Sequence, residues 1–183
     1  MTLHFIQDIL SPSKQTNRGF GLTLNTNEIG AYIIASVLQQ EAPLKVDISE
    51  FFCAIEAIHF EANGEKYKGK QIVANIIQNR IDKVEKWDSF CTTIHWKGQF
   101  TYKKGTLVKI KNDIDLKSFE ETVKIAYKAV QGDLDDITSG ADHYFNPAKI
   151  KRKQEWMDEK YKVGVVGNHV MQKLIDNNGR WLK

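Results

Sequence analysis

The chain has 183 residues, enough for one hydrophobic core of ordinary size and short for two independent enzymatic domains. Apolar residues make up 42% and charged residues 27%, which excludes a disordered or fibrous chain, and the net charge of +3 is mild. The longest apolar run, Ala31 to Leu38 broken by Ser36, is far too short to cross a bilayer, so no membrane span is expected.

The first residues, "MTLHFIQDILSPSKQ", lack the basic stretch and small-residue cleavage site of a secretory signal. Residues 1–25 show no sustained periodicity and read as irregular structure with a short helix at Leu3 to Ile9. From Glu28 to Glu41, Ile29, Tyr32, Ile33 and Val37 recur at helical spacing with Pro43 beyond the end, which predicts a helix. Together, residues 1–48 read as an N-terminal extension, and 49–183 as one compact unit.

Asp47 opens the next helix, with Glu50 three residues on as in a capping box, and Phe51, Ile55, Ile58 and Ala62 on one face. Asn63-Gly64 turns the chain. A second helix follows over Tyr67 to Val84, carried by Ile72, Val73, Ile76, Ile77, Ile81 and Val84. Trp87 to Gln99 lacks helical spacing, and Phe100 to Ile114 alternates loosely around Gly105, so loops with a short hairpin are expected. Ser118 to Gln131 predicts another helix stopped by Gly132. "ITSGADHYFNP" reads as a short strand or extended loop, and the tail as a final short helix around His169 to Ile175.

Cys53 and Cys91 have no metal-ligand spacing. Cys53 falls on an apolar helix face, which favours a buried free thiol over a disulfide. The run "KIKRK" at Lys149 to Lys153 lacks interleaved aromatics and reads as a solvated face rather than a nucleic-acid patch.

Chemistry concentrates where the first apolar helix stops. Glu61 shares its flank with Ala54, Ala57 and Ile58, at the margin of the core, where partial desolvation favours the protonated acid that general acid catalysis needs. The bland alternative is a partly exposed glutamate near a helix end. Glu65, just ahead of the next helix, suits the N-terminal dipole. The histidines are scattered singly, so neither a metal site nor a cofactor is expected, and a zinc amidase is a distant alternative. No Ser lies in a nucleophile elbow, and neither Cys has a neighbouring His. A poised glutamate suits glycosidic cleavage, although two-carboxylate glycosidases need a second acid, for which Glu65, Asp142 and Asp88 are candidates.

"HFEANGEKYKGKQIVANIIQNRI" resembles the opening motif of the SleB/CwlJ cell wall hydrolase family, in which a helix ends in E-A-x-G-E and runs on through an Asn-Arg pair. "FCTTIHWKGQFTY", "AVQGDLDDITSGADHYFNP" and "VGVVGNHVM" resemble later family segments in the expected order. The resemblance implies an α+β, predominantly helical, lysozyme-like fold related to lytic transglycosylases and goose lysozyme. It further implies cleavage of the bond between N-acetylmuramic acid and N-acetylglucosamine in peptidoglycan, forming 1,6-anhydromuramyl products. The family's catalytic acid falls on Glu61. Gln99 and Thr101 become candidates to hydrogen-bond sugar N-acetyl groups, Phe100 to pack beneath them, and Tyr144 to position a sugar or Glu61. Asn79 and Arg80 occupy the Asn-Arg pair, with buttressing weighed equally against substrate contact.

Peptidoglycan strands are the expected partner, nucleic acid is not, and a monomer is expected. A wall hydrolase without a visible signal resembles a phage endolysin released through a holin, or a lysin carried in the virion. A hydrolytic muramidase of the same fold and a non-catalytic wall-binding or virion protein stay open as alternatives.

Overall fold

A computed structural model describes residues 22–24, 47–100, 102, 108–110 and 112–182. The helices expected at Leu3 to Ile9 and Glu28 to Glu41 lie outside these, as does Thr101. The chain divides into two compact units, residues 1–45 with 103–120, and residues 46–102 with 121–183.

In the first unit, β1 (Leu22–Leu24) pairs antiparallel with β2 (Val108–Ile110), Leu22 opposite Ile110. The hairpin expected between Phe100 and Ile114 lies largely outside the described residues; within them, β2 pairs with a strand from the N-terminal part of the chain.

The second unit is built on two helices. In α1 (Ile48–Glu61), Asp47 caps the start, its Oδ1 accepting from the backbone N–H groups of Ser49 at 2.7 Å and Glu50 at 3.2 Å. Phe51, Ala54, Ile55, Ala57, Ile58 and Ala62 are buried as the periodicity requires. Glu50 does not complete a capping box; its carboxylate instead accepts from the backbone N–H of Cys91 at 3.3 Å. The helix stops where the Ala62 N–H bonds the Ile58 carbonyl, and Gly64, at φ +82°, turns the chain as few other residues could.

α2 (Tyr67–Lys83) is buried on more than its apolar side. The Lys70 ammonium pairs with Glu121 at 2.9 Å. Gln71, Asn75, Gln78 and Asn79 form a polar stripe at helical spacing that holds other parts of the chain. Gln71 donates to the Asp135 carbonyl and Gln78 to the Ala129 carbonyl, Asn75 accepts from the Ile137 N–H, and Asn79 donates to Thr138 Oγ1 and the Ala141 carbonyl. A loop with no ladder of its own thus has its backbone groups satisfied by amide side chains.

Within Trp87 to Gln99, expected to be irregular, the structure forms α3 (Phe90–His95). Ser89 and Thr92 build a reciprocal capping box, and Phe90, Thr93 and Ile94 are buried. Six residues are too few for periodicity to show, although the S-x-x-T spacing was there to be read. α4 spans Asp113–Gln131, five residues longer at its start than the apolar pattern predicts.

Cys53 and Cys91 form a disulfide, with Cα atoms 5.2 Å apart, joining α1 to α3. This corrects the free-thiol expectation. Burial of Cys53 was inferred correctly, but the surface it is buried against is the first turn of α3, which carries Cys91.

The C-terminal part forms a three-stranded antiparallel sheet ordered β3 (His143–Phe145), β5 (His169–Gln172), β4 (Lys162–Val166). The helix expected around His169 to Ile175 is therefore a strand. Gly167-Asn168 makes a two-residue hairpin between β4 and β5, with Gly167 at φ +57° and Val166 opposite His169. The valines before it, in an alternating stretch, favour a pleated strand. Met171 packs the sheet on Ile72 and Ile76 of α2, with Ala141 in the same cluster and Tyr144 and Val166 against it. No described helix is long and apolar enough to cross a membrane.

Candidate active site

Glu61 is the last residue of α1, half-buried at the point where the core-facing stripe runs out. Across from it, β3 presents Tyr144, whose hydroxyl donates to Glu61 Oε2 at 3.4 Å, the long end of hydrogen bonding. Burial, and next the negative charge of Glu61, push the Tyr144 phenol well above its ordinary value, so it stays a proton donor at any physiological pH. Arg80 on α2 is buried, its Nε donating to the Asp142 carbonyl at 2.7 Å. Burial lowers its pKa to about 10 against the opposing pull of Tyr144, Asp142 and Glu61, so it remains a cation at neutral pH. A carboxyl group, a neutral phenol and a buried guanidinium thus share one field.

Aromatic rings surround this group. Phe60 stacks on Tyr102 with centroids 5.3 Å apart, Phe100 lies 6.0 Å from Tyr102, and the Arg80 guanidinium lies 5.8 Å from the centre of the Phe100 ring. The Tyr102 hydroxyl is buried with no hydrogen-bond partner among the described residues. Burial, then Glu56 and Glu61, push its phenol up as well. Sequence reasoning gave Tyr102 no role, although it closes the quoted Gln-Phe-Thr-Tyr stretch and sits one aromatic position beyond Phe100.

Of the three candidate second acids, Glu65 follows Glu61 across the Asn63-Gly64 turn, and the charges of both bear on Tyr144. Glu65 Oε1 lies 3.6 Å from Lys149 Nζ and 3.9 Å from His169 Nε2. His169 stands edge-on to Tyr144, centroids 5.4 Å apart, and burial lowers its pKa. Gly69 leaves room for Glu65, since a β-carbon at position 69 would stand 2.7 Å from the Glu65 β-carbon. Asp88 accepts from the Thr92 hydroxyl at the start of α3.

Asp142 is consumed by structure. Its carboxylate accepts from the Leu174 N–H at 2.8 Å, the Ile175 N–H at 3.1 Å, Lys83 Nζ at 2.9 Å and His143 Nδ1 at 2.8 Å. Burial alone would raise its pKa, but the bonds from His143, Lys83 and Leu174 outweigh it and hold the group below the ordinary carboxylate range.

The other sequence-predicted residues are distributed around this centre. Gln99 is half-buried directly before Phe100. Asn79 is engaged with Thr138 and Ala141, as a buttress would be. A groove of about 630 Å³, lined in part by Asn79, Asp82 and Asp88, does not include Glu61. No group of three or more His, Cys, Asp or Glu side chains among the described residues could hold a metal ion.

The helical scaffold with its small sheet is a lysozyme-like fold, the architecture of the catalytic domains of SleB. The catalytic domain of the Bacillus cereus SleB protein matches with a TM-score of 0.54 and 25% identity, over 72% of this chain and 95% of that one. The catalytic domain of the germination-specific lytic transglycosylase SleB from Bacillus anthracis matches with a TM-score of 0.54 and 22% identity, over 72% of this chain and all of that one, a likeness of fold. A family model described as Cell Wall Hydrolase matches residues 64–171, more than half of the chain, and the protein belongs to that family. Glu61 precedes the matched span by three residues. Among curated proteins, none matches the chain.

Proposed function

We propose that the protein cleaves the bond between N-acetylmuramic acid and N-acetylglucosamine in peptidoglycan as a lytic transglycosylase, with Glu61 as its one acid and base. The observation that carries this reading is the Tyr144 hydroxyl directed at the carboxyl group ending α1, inside a rim of aromatic rings suited to sugar faces. Glu61 protonates the leaving glycosidic oxygen as the bond to the muramyl anomeric carbon breaks. As carboxylate it then takes the proton of the muramyl 6-hydroxyl, whose oxygen closes the anhydro ring on that carbon. No water enters the products, and one carboxyl group serves both steps. Tyr144 holds Glu61 in position, and the buried Arg80 charge steadies the anionic state between the steps.

Action at the wall, outside a reducing cytoplasm, is part of the proposal and is supported by the Cys53–Cys91 bridge. A hydrolytic muramidase has one observation in its favour, the second carboxylate Glu65 with the space Gly69 leaves for it. Mass spectrometry of muropeptides released by the wild type and by Glu61→Gln decides the matter. Anhydromuramyl products from the wild type alone are expected. Reducing-end products would point to the muramidase, and undiminished function of Glu61→Gln would sink the catalytic reading altogether.

A further inference from the structure

The sheet that aims Tyr144 at Glu61 has a second face. Side chains alternate along a strand, so His143 and Phe145 point away from the side that Tyr144 occupies. Phe145 is paired with Val170, and Val170 with Val165, so these three form one row across all three strands. Two tryptophans extend it. Trp156 lies 5.8 Å from the Phe145 ring and 5.7 Å from His143, and Trp181 lies 5.1 Å from His143. Part of this face is open to solvent, with Trp181 55% exposed, Val165 54% and Val163 38%, while Gln172, opposite His143, is buried. Scattered exposed apolar residues need no explanation, but a contiguous aromatic and aliphatic patch on one sheet face marks an interaction surface.

The charge of the chain shows what kind of partner fits. Residues 149–183, which supply β4, β5 and both tryptophans, contain nine Lys and Arg against four Asp and Glu, whereas the whole chain has 26 against 23. The other 148 residues therefore carry 17 against 19, so the positive excess lies in this segment, of which Lys149 is set against Glu65. Lys151, Arg152 and Lys153 precede Trp156 and are exposed, and exposed Arg180 precedes Trp181. Such a surface suits a polymer with apolar ring faces for the indoles and carboxylates for the cations.

We infer that the outer face of this sheet, centred on Trp181 and Val165, is a second binding surface for the anionic peptidoglycan strand itself, anchoring the enzyme to the wall while Glu61 works on the sheet's other side. The inference rests on the transglycosylase reading for its choice of polymer. Sugar faces stack on Trp181, stem-peptide carboxylates meet the lysines and arginines, and the chain on this surface is not the one being cut. Anchoring matters for an insoluble substrate and is dispensable for a short soluble one.

The test uses full-length protein and purified sacculi stripped of phosphate-bearing polymers. In a Glu61→Gln background, which leaves the wall intact, Trp181→Ala and Val165→Glu should each raise the half-saturating sacculus concentration about fivefold or more. Lys124→Gln, which lowers the net charge by one as Val165→Glu does but lies on α4, should leave it unchanged, and salt near 0.5 M should weaken the association of the parent protein, as expected when the Debye length shrinks to about 4 Å. With Glu61 restored, Trp181→Ala should slow lysis of sacculi while turning over short soluble glycan fragments at the parental rate.

Unaltered sacculus binding by both variants would overturn the proposal. So would a parallel loss of soluble turnover, which would mean a structural defect, or association seen only with unstripped walls, which would assign the face to a phosphate polymer. If the wild type fails to cleave soluble fragments, the transglycosylase reading falls, and Trp181-dependent association with stripped sacculi would still uphold the surface.

Discussion

Replacing both Cys53 and Cys91 by alanine removes the covalent link between the helix that ends in Glu61 and the helix that leads into Gln99 and Phe100. The bridge spans 38 positions of sequence, and the chain-entropy relation for a loop of that size gives about 4 kcal/mol of stabilisation at 25 °C, within the range found for native disulfides. For a chain of this length each kcal/mol moves the melting temperature by roughly 2–4 °C, so the double variant should melt about 8–16 °C lower. The bond from the Cys91 N–H to the Glu50 carboxylate survives the substitution and keeps the two helix ends together at low temperature. Differential scanning calorimetry of the wild type and the double variant, each with and without a thiol reductant, measures the effect. The wild type should lose stability on reduction and the variant should not respond. Equal melting temperatures for the two proteins, or a variant that still responds to reductant, would refute the reasoning.

Tyr144→Phe removes the hydroxyl facing Glu61 and should lower kcat on peptidoglycan about tenfold with an unchanged circular dichroism spectrum, the worth of one hydrogen bond lost at the reacting group. Gly69→Ala places a β-carbon against Glu65 and should cost about 1–3 kcal/mol in urea denaturation together with activity, whereas an undisturbed variant would show that Glu65 has other room. Asp142→Asn leaves Lys83 facing a neutral amide and should destabilise the fold by roughly 3 kcal/mol in the same assay. The folded pKa of Asp142 is depressed, so its contribution is fully present above an unfolded value of about 3.9 and is lost as pH falls through the lower folded value. Burial also lowers the pKa of His143, so the unfolded chain takes up a proton below about pH 6.5 that the folded chain resists. Stability should therefore decline on acidification, first below that pH through His143 and further below about pH 3.9 through Asp142, and a denaturation midpoint that rises from pH 7 to pH 5 would contradict the His143 assignment.

What the sequence disclosed depended on the length of each signal. α1 and α2 were legible because apolar residues repeat over several turns, and Glu61 stood out because it ends one of those stripes. α3 was not, since six residues cannot display a period; only the Ser89–Thr92 spacing marked it. The valines and histidine of the tail were read with a helical period, although Gly167-Asn168 between two apolar stretches is a hairpin signal. The disulfide was missed because burial of Cys53 says nothing about its neighbour, and the pairing of β2 with β1 joins segments far apart in the chain. The polar stripe of α2 was visible as Gln and Asn at helical spacing, yet its meaning needed the loop whose backbone it satisfies. The site was legible in part. Glu61 and Tyr144 meet, Asn79 is engaged in holding a loop, and the buried Tyr102 hydroxyl was not anticipated.

The three residues of β3 also constrain how this chain can vary. His143, Tyr144 and Phe145 are consecutive, yet one is turned toward Glu61 and its two neighbours toward the opposite side of the sheet. Inserting or deleting one residue where β3 pairs with β5 would exchange those sides, carrying an imidazole or a phenyl ring to the carboxyl group and a phenol to the tryptophans. Length changes should therefore be confined to segments outside this pairing, such as the stretch after Pro147, while β3 itself can vary only by replacement in place.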